Sequence, residues 1–156
     1  MGGLAWDGSP GTPGTAAPPP GYPRATIGAV RQKAAKMKHG EFVTRVGELA
    51  LEVGGRYGVE LWIHYNPDSR KIRTRPPFSR GFPDLVIVGP GGAIVAELKC
   101  ADDTSSPEQR GWHSRLIGAG ITAVIWEPLD TYTGRVETEL AALCVRSPYL
   151  ERRANP

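Results

Sequence analysis

Three charged residues lie within or beside apolar segments near the middle of the chain: Asp84, Glu97 and Lys99. Two short apolar runs with β-branched residues flank a Gly-Pro-Gly-Gly sequence, which predicts a β-hairpin. With Pro90-Gly91 at the centre of the turn, counting outward along both strands places Asp84 opposite Glu97. Directly opposed residues have Cβ atoms roughly 4.5–5.5 Å apart. Lys99 shares a face with Glu97 because side chains alternate along a strand.

This pairing predicts a binding site for a divalent metal ion. Two carboxylates at so short a separation repel each other unless a cation lies between them. A divalent metal is the natural occupant of the site, and the ammonium of Lys99 would lie alongside it.

The motifs around this hairpin are, in chain order, Gly81-Phe82-Pro83-Asp84, Glu97-Leu98-Lys99, and Ser106-Pro107-Glu108-Gln109 followed by Trp112. The Pro-Asp and Glu-x-Lys pieces resemble the PD-(D/E)xK nuclease superfamily. The ordered set, over roughly residues 39–130, resembles its VRR-NUC branch. Small stand-alone members of that branch include phage-type Holliday junction resolvases. The resemblance implies an α/β fold with a PD-(D/E)xK core, in which helices flank a small mixed β-sheet.

The resemblance also implies a set of site residues. The catalytic residues are expected to be Glu41, Asp84, Glu97, Lys99 and Gln109, and the Mg²⁺ ligands Glu41, Asp84, Glu97 and the backbone carbonyl of Leu98. Mn²⁺ is expected to substitute for Mg²⁺. In the family a Glu on the first helix completes the acidic cluster, and Glu41 fits that pattern. Glu48, seven residues on and pointing in nearly the same direction, is the alternative.

The expected function is therefore Mg²⁺-dependent cleavage of DNA, most simply by a structure-selective endonuclease similar to Holliday junction resolvases. Mg²⁺ suits this chemistry because it binds the scissile phosphate and activates water. Two symmetric cuts need two active sites, so a homodimer is expected. The alternatives are a catalytically silent DNA-binding module of the same fold and an unrelated domain whose motif matches by chance. The intact Asp84, Glu97 and Lys99 favour the enzyme.

Two helices are predicted before the hairpin. A basic helix is plausible from about Thr26 to Lys38, either along a nucleic-acid backbone or as a solvated lead-in. A clearer helix spans 41–53, where an apolar stripe recurs at helical spacing, and Gly54-Gly55 is expected to stop it. The stripe consists of Phe42, Val46, Leu49, Ala50 and Val53.

A strand is predicted at 59–65, followed by a basic loop at 66–80. His64 on that strand either contacts DNA, assists catalysis or simply ends the strand. The residues expected to contact phosphates are Lys36, Lys38, Arg70, Lys71, Arg73, Arg75 and Arg80. An ordinary solvated basic loop is the alternative interpretation. Residues 24–80 contain 12 Lys and Arg against 5 Asp and Glu, so the positive charge is concentrated there.

The sequence after the hairpin predicts a well-capped helix. Ser106 fits the N-cap, Pro107 the first helical position, and Gln109 the third residue of a capping box. Gln109, Trp112 and Leu116 are spaced i, i+3 and i+7, so they lie on one face of this helix. That face is expected to turn Gln109 toward the sheet, near Lys99. Asp102 and Asp103 in the preceding loop are expected to be solvated. A buried strand at 121–126 and an amphipathic helix at 133–144 follow.

The composition is that of a globular protein: 156 residues, 40% of them hydrophobic, with a net charge of +3. One domain is expected over 24–146, with a disordered Pro- and Gly-rich tail at 1–23 and a loose tail at 147–156. No apolar run approaches the ~18 residues of a membrane span, and no secretory signal is recognised. Cys100 and Cys144 show no metal-binding spacing. A cytoplasmic protein with reduced thiols, in a bacterium or a phage-infected host, is expected.

Overall fold

A computed structural model describes residues 24–66 and 80–145 of this chain, with side chains from Ile27 onward. Three sequence predictions fall outside these residues: the tail at 1–23, the tail at 147–156, and the phosphate contacts of four loop cations. Those cations are Arg70, Lys71, Arg73 and Arg75.

The described residues form an α/β arrangement, in which helices flank a four-stranded mixed sheet. The elements are α1 (Arg24–Lys36), α2 (His39–Tyr57), β1 (Trp62–Tyr65), β2 (Leu85–Gly89), β3 (Gly92–Leu98), α3 (Pro107–Gly118), β4 (Thr122–Trp126), α4 (Asp130–Thr133) and α5 (Arg135–Cys144). The α/β class and the small mixed sheet expected from the sequence are confirmed.

The sheet has the strand order β1-β2-β3-β4. The first two pairs are antiparallel, and β4 runs parallel to β3 after the α3 connection. The predicted hairpin register is confirmed, since Gly89 pairs with Gly92 and the ladder continues to Leu85 opposite Ala96. Asp84 and Glu97 are the next pair outward in this register. Asp84 immediately precedes β2, Glu97 lies within β3, and Lys99 immediately follows β3.

One hydrophobic core fills the space between the sheet and the helices α2 and α5, which contact each other and the hairpin strands. The predicted stripe of α2 is buried along its whole length. Alternate residues of the hairpin, including Leu85, Ile87 and Ala96, point into the same core. Asp84 and Glu97 therefore belong to the opposite face of the sheet. Among the described helices, none is both long and apolar enough to cross a lipid bilayer.

The end of α2 corrects a sequence prediction. Gly54-Gly55 does not stop the helix, which continues to Tyr57 and ends at Gly58 in the left-handed conformation, φ 65°. The Gly58 N–H reaches the carbonyls of Gly54 and Gly55, which closes the last turn. Gly54 serves packing instead, because a Cβ there would lie 2.7 Å from the Val59 carbonyl oxygen.

Three other elements differ from their predictions. The first strand is shorter than predicted, Trp62–Tyr65, and β4 is an edge strand with Thr122 and Ile125 exposed. The sequence predicts a buried strand there, but the apolar residues of β4 face the core only at alternate positions. The last predicted helix begins two residues later than predicted, at Arg135, because Gly134, with a φ of 80°, separates it from the short helix α4.

Candidate active site

Two carboxylates are buried at one end of the sheet. Asp84 is 9% exposed and Glu97 is 5% exposed, and no other acidic residue in the described part of the chain is buried. Asp84 Oδ2 accepts a hydrogen bond of 2.9 Å from the backbone N–H of Leu98. This bond holds the residue before β2 against the end of β3, as the hairpin register predicted.

Glu97 is the centre of the site. Its Oε1 lies 2.8 Å from Lys99 Nζ and also accepts a hydrogen bond from Gln109 Nε2. Its Oε2 is buried and has no hydrogen-bond partner among the residues that the structure describes. Burial is the main cause that raises the pKa of Glu97 from 4.5 to about 7, Lys99 opposes that shift, and the negative charge of Asp84 adds to it.

Gln109 has two structural connections at once. Its backbone N–H donates to Ser106 Oγ at 3.2 Å, and its side-chain Oε1 accepts from the Ser106 N–H at 2.9 Å. The predicted capping box at the start of α3 is therefore confirmed. The same Oε1 accepts from Lys99 Nζ at 3.0 Å, so the cap residue also holds the lysine.

The segment that carries Asp84 is packed against the start of α3. Gly81 has a φ of 73°, and a Cβ there would lie 2.6 Å from Glu108 Cβ and 2.7 Å from the Gln109 backbone N. Phe82 packs edge-on against Trp112, with ring centroids 5.0 Å apart. Glycine is required at position 81 both by this close approach and by the left-handed backbone.

Gly81→Ala is accordingly expected to destabilise the protein by about 1–3 kcal/mol and to slow any reaction that depends on the placement of Asp84. Thermal unfolding measures the first effect. Gly118→Ala, at the end of the same helix, is the matched control because a Cβ there meets no atom within 4 Å. Equal stability of the two variants would show that the close packing of Gly81 is unimportant.

The predicted acidic residues of α2 do not join this site. Glu41 is exposed, and Glu48 is exposed and pairs with Arg45 at 3.3 Å. His39 is the α2 residue that reaches the site, with Nε2 3.8 Å from Asp84 Oδ1. Two residues of helix correspond to a rotation of about 200°, so Glu41 points away from the side on which His39 lies.

Several residues predicted to contact DNA lie on the surface. Lys36, Lys38 and Arg80 are exposed, as phosphate-contacting cations must be. His64 is also exposed, on β1. Asp102 is solvated as predicted, whereas Asp103 is partly buried and accepts a hydrogen bond from the Cys100 N–H at 3.3 Å.

Sequence reasoning missed His39 and Cys100. The helical spacing offered a signal for His39, because it lies seven residues before Val46 and so shares the buried stripe of α2. Cys100 gave no signal in the sequence. Of its neighbours in space, His39 is distant along the chain, and Asp103 is close along the chain but without a metal-binding spacing. Burial is the main cause that raises the pKa of the Cys100 thiol, and the negative charges of Asp103 and Asp84 add to it.

The carboxylate end of the sheet fits a Mg²⁺ ion. Asp84, Glu97 and Leu98 line one cleft together with Lys99 and Gln109. Mg²⁺ prefers carboxylate and carbonyl oxygens, and the buried Glu97 Oε2 is an oxygen that still needs a partner. We refer to the cleft formed by these five residues as the carboxylate cleft.

Comparisons of the chain with known protein families, with curated proteins and with solved structures find no match. The function must therefore be argued from the carboxylate cleft and from the motifs that form it.

Metal binding at this cleft is expected to release a proton. The pKa of about 7 means that Glu97 is largely protonated at pH 6 without metal. Mg²⁺ binds the ionised form, so apparent affinity should rise up to about tenfold per pH unit below pH 7 and level off above it. Calorimetric titration in buffers of different ionisation enthalpy measures the release, expected near one proton at pH 6. Glu97→Gln should abolish it, and a wild-type protein that releases no proton contradicts the prediction.

The raised pKa of Glu97 also makes the free energy of unfolding depend on pH when no metal is bound. Because the unfolded chain ionises at about 4.5 and the folded protein at about 7, the folded state binds more protons between these values. The free energy of unfolding contributed by Glu97 therefore falls as pH rises through this range. A bound divalent ion opposes that decrease.

Proposed function

We propose that this chain is a Mg²⁺-dependent DNA endonuclease of the PD-(D/E)xK type, related in its motifs to the VRR-NUC branch. The observation that most supports this proposal is the convergence of buried Asp84 and Glu97 with Lys99 and Gln109. Burying two carboxylates together is costly unless they are paired or bind a metal. A bound cation would offset this cost because it would neutralise the two negative charges.

The residues proposed to hold the ion are Asp84, Glu97 and the backbone carbonyl of Leu98. When bound, Mg²⁺ would neutralise charge on the scissile phosphate and lower the pKa of a bound water, and Mn²⁺ would substitute. Glu41, expected as a further ligand from the family pattern, has no support in the described structure because its side chain is exposed.

Lys99 is proposed to orient the attacking water and to stabilise negative charge on the phosphate. An ammonium has three donor hydrogens, and in the described structure Glu97 Oε1 and Gln109 Oε1 occupy two of them. The third is left for water or phosphate. Because both partners are buried or partly buried, the ammonium is held in place before substrate binds, which is the condition for electrostatic preorganisation.

The carboxylate cleft also favours an enzyme over a silent DNA-binding module. Without a cation, the negative charge of Asp84 and of ionised Glu97 would repel a phosphate backbone. A protein that only binds DNA gains nothing from keeping such a pair buried. Exposed Lys36, Lys38 and Arg80 can contact phosphates, and the four loop cations of the sequence prediction would add to them.

We propose a branched or otherwise structured duplex as the substrate, with a homodimer making paired cuts. This part of the proposal is supported by the motif resemblance. A cytoplasmic location in a bacterium or a phage-infected host would suit that role.

The test is incubation of the full chain with end-labelled linear duplex, flap and four-way-junction DNA. Cleavage is expected with Mg²⁺ or Mn²⁺ and should be absent with a chelator. Faster, symmetric cutting of the four-way junction would support the resolvase proposal. Binding to all three substrates without any cleavage would support the silent binding module instead.

DNA affinity is expected to depend strongly on salt. Replacing Arg70, Lys71, Arg73 and Arg75 by alanine should weaken binding to all duplexes similarly and reduce the salt slope by roughly 0.9 for each phosphate that the variant no longer neutralises. Fluorescence anisotropy over a range of salt concentrations measures both effects. Lys36→Ala with Lys38→Ala tests the helical cations separately. An unchanged slope would exclude the loop from the interface.

A further inference from the structure

A second group of metal-ligating side chains adjoins the proposed Mg²⁺ ligands, and two of its members line the same cleft. His39, Cys100 and Asp103 are each partly buried, and one ligand atom from each lies within 4.8 Å of the others. None of the three is a proposed Mg²⁺ ligand. We refer to this group as the His-Cys-Asp cluster.

Two elements bring the cluster together. His39 is the first residue of α2, and the other two lie in the turn after β3. That turn is held by the Asp103 N–H, which donates to the Cys100 carbonyl at 3.0 Å. The Cys100 N–H donates in return to Asp103 Oδ2 at 3.3 Å. Cys100 and Asp103 are therefore positioned by the backbone before any ligand binds.

The ring of His39 supplies an independent observation. Its Nε2 is buried and has no hydrogen-bond partner among the described residues, and Asp84 Oδ1, at 3.8 Å, is beyond hydrogen-bond distance. A buried nitrogen without a partner carries a desolvation cost. The ring of His39 therefore has a buried nitrogen that is available to a metal ion.

The chemistry of the donors indicates which metal would bind. A thiolate, an imidazole and a carboxylate are ligands of Zn²⁺ and similar transition metals, whereas Mg²⁺ prefers oxygen ligands alone. Zn²⁺ bonds of about 2.0–2.3 Å place tetrahedral ligand atoms about 3.3–3.8 Å apart. The cluster atoms, which lie within 4.8 Å of one another, must therefore close by at most about 1.5 Å, which side-chain rotation can supply. Three protein ligands leave the fourth position for water or another ligand.

We propose that His39, Cys100 and Asp103 form a transition-metal site, selective for Zn²⁺ over Mg²⁺, next to the carboxylate cleft. His39 and Asp103 also line the carboxylate cleft, but none of the three cluster residues is a proposed Mg²⁺ ligand. Metal binding here does not require that the chain cleave DNA, so the proposal can succeed or fail independently of the nuclease function.

Co²⁺ is the probe, because a thiolate ligand gives it a charge-transfer band in the near ultraviolet and tetrahedral coordination gives it intense visible bands. The parent protein is the full chain with Cys144→Ala, which leaves Cys100 as its only thiol. The parent should show both sets of bands with one equivalent of Co²⁺. Zn²⁺ should displace them at stoichiometric amounts, and a large excess of Mg²⁺ should not.

Cys100→Ser in the parent should remove the charge-transfer band. His39→Gln and Asp103→Asn should each weaken Zn²⁺ binding by at least about tenfold. His64→Gln is the matched histidine control, since His64 is exposed on β1, and it should bind normally. Glu97→Gln should leave the Co²⁺ spectrum unchanged, because Glu97 is not a ligand of this metal.

Circular dichroism establishes that each variant is folded before titration. Asp103→Asn serves as the conservative second variant, because asparagine can still accept the hydrogen bond from Cys100. The absence of a thiolate band in a folded parent would overturn the proposal. A band that survives Cys100→Ser, or Zn²⁺ binding that is insensitive to both His39→Gln and Asp103→Asn, would overturn it equally.

Discussion

Glu97→Gln is expected to abolish metal-dependent DNA cleavage while DNA binding stays close to wild type. The amide oxygen can still accept from Lys99 and Gln109, so the local hydrogen bonds are largely preserved. The variant lacks the charge that would hold the metal, and with it several kcal/mol of transition-state stabilisation, equivalent to roughly a thousandfold in rate or more. Single-turnover cleavage and anisotropy measure the two properties separately. Asp84→Asn should likewise abolish cleavage and leave DNA binding close to wild type.

Two other Glu→Gln changes serve as matched controls. Glu48→Gln alters an exposed pair with Arg45 and should cut DNA at the wild-type rate. Glu41→Gln decides between the family pattern and the structure. Full activity is expected because Glu41 is exposed and points away from His39. A Glu97→Gln protein that cleaves at the wild-type rate would remove the carboxylate cleft from the mechanism.

The hairpin and the helix cap could be predicted because both depend on short-range chemistry. Placing Pro90-Gly91 at the centre of the Gly-Pro-Gly-Gly turn sets a register, and the structure pairs β2 and β3 in that register. Ser106, Pro107 and Gln109 carry the signals of a helix start within four consecutive residues. Each of these predictions needed only neighbours in sequence. Helical spacing then placed Gln109 on the face of α3 that turns toward the sheet, where Lys99 lies.

Two outcomes depend on contacts between distant segments. Gly54-Gly55 resembles a helix stop, but Gly54 is needed for close packing against Val59, and the helix continues past it. The family pattern favours Glu41, whereas the orientation of α2 on the sheet turns His39 toward Asp84. Neither outcome can be read from the composition or periodicity of one segment.

The His-Cys-Asp cluster shows the same limit for metal ligands. Metal spacings are recognisable in a sequence when the ligands lie on one turn or one helix. Here His39 is some 60 residues from Cys100 along the chain. Their proximity depends on the position of the first residue of α2 relative to the turn after β3. A loop acid and a lone cysteine are visible in the sequence, but only the fold brings a histidine to them.

Gln109→Glu separates the two roles of Gln109, and we expect a folded but slow protein. The new carboxylate can still accept from the Ser106 N–H and from Lys99 Nζ, so the capping box is retained. It replaces the amide donor that faces Glu97 Oε1 with an acceptor. Two carboxylates then face each other, which raises the pKa of Glu97 further and keeps it protonated at neutral pH.

Single-turnover cleavage by Gln109→Glu should therefore fall by about tenfold to a hundredfold at pH 7, because both the metal ligand and Lys99 are perturbed. Part of the rate should return as pH rises, since Glu97 must ionise before it can bind metal. Ser106→Ala is the matched control for the cap. It removes the acceptor of the Gln109 N–H and should cost about 1 kcal/mol of stability, with an unshifted pH profile while the protein is folded. If Gln109→Glu is folded and cleaves at the wild-type rate at neutral pH, Gln109 is a helix cap and has no part in the reaction.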